Sequence, residues 1–78
     1  MMSTYFDRHD AGLLLGKNIR TKVEFADVPP GSTGRCVSYY PAGGRNIKLG
    51  YGIEITWDRN RITDGFSKDE FEEFIEVI

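Results

Sequence analysis

At 78 residues the chain is sized for one domain, and a domain this short buries only about 60–65% of the surface its unfolded chain exposes, so its core must rely on a few large side chains. Ten aromatic residues can supply them, while the single cysteine, Cys36, excludes an internal disulfide and the disulfide-stapled secreted class, which points to a reducing cytoplasm. The net charge of −2 conceals a mildly basic body, with nine Lys/Arg against seven Asp/Glu through residue 66, and an acidic tail with Lys68 against five acids, a balance that argues against general attraction to nucleic acid.

Residues 1–12 are polar and mixed and predict a loosely packed arm, the domain boundary being drawn at residue 17. Their charges leave no apolar stretch for a signal peptide, and no segment reaches the ~20 apolar residues of a membrane span. Leu13, Leu14 and Leu15 ahead of Gly16 fit a first strand or one turn of helix. From Asn18 the pattern sharpens: Ile19, Thr21, Val23 and Phe25 share one face, and Arg20, Lys22 and Glu24 the other, which predicts a strand. Pro29 and Pro30 lack amide donors and Gly31 and Gly34 admit unusual backbone angles, so residues 27–34 form a turn.

A second strand is expected over 34–40, followed by a ten-residue connection, 41–50, long enough to stand away from a sheet. Tyr51, Ile53, Ile55 and Trp57 alternate with Gly52, Glu54 and Thr56 in the period of a half-buried strand. A turn at 58–61 precedes a short strand over 62–66. Ser67 and Glu70 have the spacing of a capping box, and Phe71, Phe74, Ile75 and Ile78 fall on one helical stripe. Residues 74–78 also alternate as a strand, which favours a helix over 68–74 and then a closing strand. Val23, Phe25, Ile53, Ile55 and Trp57 are the expected core.

This arrangement, with the turn Gly31-Ser32-Thr33-Gly34 entering the second strand ahead of Val37, resembles an SH3-like small barrel. The resemblance covers residues 18–78 and extends to the KOW-type modules of ribosomal and transcription proteins and to SH3-like accessory domains of cytoplasmic enzymes. Trp57-Asp58 and the Gly65–Phe71 stretch are also similar to a pattern of small bacterial proteins. The resemblance implies a mainly β fold of about five strands closed into a barrel, with a short helix near the C-terminus. It implies a binding role, as a protein-protein adaptor or, alternatively, as an RNA-binding barrel.

The residues themselves argue for binding over catalysis. His9 with Asp7 and Asp10 is the only His-carboxylate cluster, and it falls short of the three or four preorganised ligands a tight metal site needs. Cys36 has no base beside it in sequence and is expected as a buried strand cysteine. Residues 58–65 resemble a calcium loop but place Ile62 where an oxygen ligand is required. No catalytic residue, metal or cofactor is therefore expected.

Strand alternation forbids Tyr39 and Tyr40 from both facing inward, so one presents its ring to solvent. The expected binding surface is Tyr39, Tyr40, Arg45, Lys48 and Arg59, since aromatic rings beside arginine are enriched at protein interfaces and also stack on single-stranded nucleic acid. If the barrel is incomplete, an exposed edge at 51–57 or at the C-terminal strand would allow self-pairing.

Overall fold

The computed structural model describes residues 4–24, 27–42 and 50–78. Two short helices and five strands follow in the order α1 (Arg8–Leu14), β1 (Asn18–Thr21), β2 (Thr33–Pro41), β3 (Tyr51–Trp57), β4 (Thr63–Phe66), α2 (Lys68–Phe74) and β5 (Ile75–Val77). The strands form one antiparallel sheet in the order β4-β3-β2-β1-β5, so the mainly β class with a short helix near the C-terminus holds. Closure into a barrel does not: β4 and β5 are the two edges, no ladder joins them among the described residues, and α2 carries the chain from one edge to the other. β3 is hydrogen-bonded on both sides, so residues 51–57 offer no edge for self-pairing.

The inner face follows from the alternation in β3. Ile53, Ile55 and Trp57 are fully buried, and the register sets Trp57 opposite Gly34, Ile55 opposite Cys36, and Ile53 between Tyr39 and Phe66. The Trp57 and Phe66 rings meet edge to face at 6.3 Å. Gly34 is required where it stands, because a Cβ there would lie 2.7 Å from the Thr56 carbonyl oxygen and 3.2 Å from the indole of Trp57.

β1 is shorter than its alternation predicts. The Thr21 amide donates to the Ser32 carbonyl, its carbonyl accepts from Gly31, and its buried hydroxyl donates to the Pro29 carbonyl and accepts from the Ser32 amide. The 27–34 turn thus folds back onto Thr21 and ends the strand. Val23, expected in the core, is 45% exposed, and Val28 from the returning turn is buried instead. Phe25, the other core residue expected here, lies outside the described residues.

The N-terminal segment is more ordered than a loose arm. Phe6 and Tyr51 exchange both backbone hydrogen bonds, at 2.9 and 2.8 Å, and Phe6 packs edge to face on Phe71 at 5.8 Å. The Thr4 carbonyl accepts from the Lys68 amide at 2.8 Å in the first turn of α2. Asp7 caps α1, its carboxylate accepting from the Asp10 amide at 2.7 Å, and the helix delivers Ala11 to the core with no exposure. Leu13–Leu15 therefore takes the helical alternative, with Leu14 against the core and Leu13 and Leu15 exposed.

α2 forms on the expected capping box: Ser67 accepts from the Glu70 amide and Glu70 accepts from the Ser67 amide. The helix stops at Phe74 although its apolar stripe runs on, because Ile75, Glu76 and Val77 pair with Thr21, Arg20 and Ile19. Two of those three are β-branched and suit a strand, and Arg20 and Glu76 add an ion pair of 2.8 Å across the ladder.

Between β3 and β4 the chain turns through residues 58–61. The Arg61 amide donates to the Trp57 carbonyl, the Asn60 side chain accepts from the Ile62 amide, and Arg61 sits at φ 63°, the left-handed region that favours glycine. That conformation costs a non-glycine residue about 1–2 kcal/mol, against about 0.4–1 kcal/mol for the extra unfolded-state freedom of glycine. Arg61→Gly should therefore raise stability by about 0.5–1 kcal/mol, read as a higher urea midpoint at unchanged slope; an unchanged or lower midpoint would contradict this account of the turn.

Two further glycines make opposite tests. Gly34→Ala places a methyl against backbone and should cost about 2 kcal/mol or more. Gly12→Ala, inside α1 with nothing within 4 Å of the added carbon, should gain about 0.5–1 kcal/mol. Thermal unfolding of the pair would show the two midpoints moving in opposite directions.

Candidate functional site

The four tyrosines of the chain gather, each half-buried, at the end of the sheet where β2 finishes and β3 begins. A register shift in β2 decides how two of them are used. Cys36 pairs with Ile55 and Ser38 with Glu54, so Val37 is an extra residue, a β-bulge that resets the alternation. After it, Tyr39 pairs with Ile53 on the inner face and Tyr40 with Gly52. The Tyr39 ring meets the Tyr51 ring edge to face at 5.5 Å. The Tyr39 hydroxyl, as a hydrogen-bond partner of the exposed Arg8, pushes that guanidinium's pKa up, with a smaller contribution from Tyr51.

Tyr40 lies over the opposite face. A Cβ on Gly52 would fall 2.6 Å from its Cζ and one on Gly65 would fall 2.8 Å from its hydroxyl oxygen, so the two glycines form the trough that holds the ring flat across β3 and β4. Its phenol pKa is raised, first by burial and then by the carboxylates of Glu54 and Glu70. Ser38 Oγ donates to the same Glu54 carboxylate. Tyr5 completes the group: its Cβ and the Phe6 carbonyl approach Gly50, which at φ 114° leaves no room for a side chain. The Ala42 amide donates to the Gly50 carbonyl at 2.9 Å and joins the two sides of the 43–49 connection at its base.

Of the expected surface residues, Tyr39 and Tyr40 stand at this end, one on each face. Arg45 and Lys48 lie outside the described residues. Arg59 is at the far end of β3, roughly 20 Å away at the rise of a strand, and its Nη2 donates to the Asp27 carbonyl at 3.2 Å. There it borders a small cleft of about 160 Å³ formed with Asp27, Val28, Trp57, Ile62 and Asp64. The indole Nε1 of Trp57 donates to Asp64 Oδ2 at 2.6 Å, so this carboxylate serves the core tryptophan. Arg8 and Tyr5 had no sequence signal of their own, because they join the group only through the Phe6–Tyr51 pairing.

The carboxylate beside His9 and the thiol of Cys36 both hold structural places in the fold. The Asp7 carboxylate beside His9 is engaged as a helix cap, and no cluster of three metal-ligating side chains occurs among the described residues. Cys36 is fully buried, and burial pushes its thiol up to about 11. No family model, no curated protein and no solved structure matches the chain. No helix among the described residues is long and apolar enough to cross a membrane.

The raised thiol fixes a pH dependence. The unfolded state releases the Cys36 proton near pH 9 and the folded state only near 11, so the unfolded state binds fewer protons in between and stability falls as pH rises through that window. Cys36→Val should flatten this part of the stability curve. The native thiol should also resist a disulfide reagent at neutral pH until denaturant is added; prompt labelling of the folded protein would overturn the buried assignment.

Proposed function

We propose that the chain is a non-enzymatic binding module, an accessory or adaptor of a cytoplasmic assembly, that receives a protein partner at the tyrosine-lined end of its sheet. The observation that carries this reading is the grouping of Tyr5, Tyr39, Tyr40 and Tyr51, all half-buried, beside the exposed Arg8. Rings held by packing offer apolar area with little rotamer freedom left to lose, and tyrosine with arginine is the composition in which interface energy concentrates. Arg45 and Lys48 belong to the same proposal, since Ala42 and Gly50, which flank residues 43–49 in the sequence, stand at this end.

The strand order β4-β3-β2-β1-β5 with a helix before the last strand supports an SH3-like layout. The Gly31–Gly34 turn keeps RNA binding as the second reading. The acidic side chains of α2 weigh against it, since a polyanion would meet repulsion there.

A photo-crosslinking residue placed at position 8 or 42 should capture one discrete protein in cells of the source organism. The same residue at position 59, at the opposite end, should not. Capture of the same protein from both ends, or of RNA from position 8, would reject the proposal.

A further inference from the structure

The geometry points to a second site, a groove on the outer face of the sheet that binds the phosphate group of a small phosphomonoester. The register aligns Asn18, Arg35 and Thr56 side by side on β1, β2 and β3. With Val37, Asp58 and Arg61 they line an open groove of about 380 Å³. Arg35 comes from near the start of β2, whereas Arg61 reaches in from the β3–β4 turn, so two guanidiniums line the groove from separate elements.

Their charges are uncommitted. Among the described residues the one ion pair is Arg20 with Glu76, and neither Arg35 nor Arg61 has a hydrogen-bond acceptor there. Asp58, the single carboxylate in the groove, accepts from Thr33 Oγ1 at 2.8 Å. Thr56 Oγ1 shares a hydrogen bond of 2.7 Å with Thr63 Oγ1, which leaves further hydroxyl capacity at the groove floor. The left-handed backbone at Arg61 is a strained choice for arginine, and it places the guanidinium at this groove.

The number of charges selects the ligand. Two planar guanidiniums can each grip a phosphate oxygen pair, and together they match a dianion. A nucleic-acid backbone would need many more phosphate contacts for useful affinity, and Asp58 would oppose its continuation along the groove. Asn18 and Thr56 supply neutral donors beside the cations, as a phosphoryl group requires. The groove is open at its sides, so the remainder of the ligand projects from the sheet, and inorganic phosphate and a nucleoside monophosphate offer the same group to it.

Amide-shift titration of the isotope-labelled protein with inorganic phosphate, a nucleoside monophosphate and the uncharged nucleoside tests this. Shifts centred on Arg35, Thr56 and Arg61 are expected with both phosphates and not with the nucleoside; tighter binding of the nucleotide would mark it as the fuller ligand. Arg35→Gln and Arg61→Asn should each weaken binding about tenfold, and Asn tolerates the left-handed turn. Asp58→Asn, which can still accept from Thr33, should tighten it about threefold, and Arg59→Gln should change nothing. Shifts scattered over the exposed lysines and arginines, insensitivity to both Arg35→Gln and Arg61→Asn, or tighter binding of a short hydroxyl-ended oligonucleotide than of the nucleotide would overturn the inference. Because this groove shares no residue with the tyrosine-lined end, the two sites fail or stand separately.

Discussion

The fit of the Trp57 indole against Gly34 is the contact on which the rest of the structure depends. Trp57 is the largest side chain of the inner face, and its neighbour across the ladder is the one residue with no side chain to displace it. Ile19 completes the same row from β1, so three strands are brought into register by one ring and the space left for it. Asp64 holds the indole nitrogen and keeps β4 beside β3. In a domain with so little interior, filling one position with a wide, flat ring secures area that several small side chains could not.

Much of this layout was legible because its signals were local. The alternation from Tyr51 to Trp57 gave β3 its bounds, and the Ser67–Glu70 spacing gave α2 its start. The end of β1 was not legible, because Thr21 stops the strand through bonds to Pro29, Gly31 and Ser32, which lie beyond it in the chain. Val23 satisfied the period but not the path of the backbone. α1 was not legible, because its packing comes from Phe6 and Ala11 meeting a sheet that no local pattern links to them. The open sheet, in place of a closed barrel, is likewise a matter of which edges meet, and alternation does not encode that.

The positions of the residues expected at one surface were only partly legible, for the same reason. Alternation correctly separated Tyr39 from Tyr40, but the bulge at Val37, which assigns them their faces, leaves no sign in the residue types. Grouping Arg59 with them followed nearness in composition, whereas β3 runs its whole length between the two ends. The roles of Gly52 and Gly65 were not legible, since they depend on a ring from another strand. Their use is to admit the Tyr40 ring across the strands, where aromatic cover compensates for missing side chains. The pairing of Asn18, Arg35 and Thr56 became visible only once the register was known.

The bulge also bears on how such a protein could diversify. Because Val37 is the one supernumerary residue in β2, loss of its codon would straighten the ladder with Ser38, Tyr39 and Tyr40 still opposite Glu54, Ile53 and Gly52. The ring laid over Gly52 and the one beside Tyr51 would each keep its face. Length variation within a strand, usually counted as damage, is here a change that a lineage could make at one position while keeping the recognition surface in place.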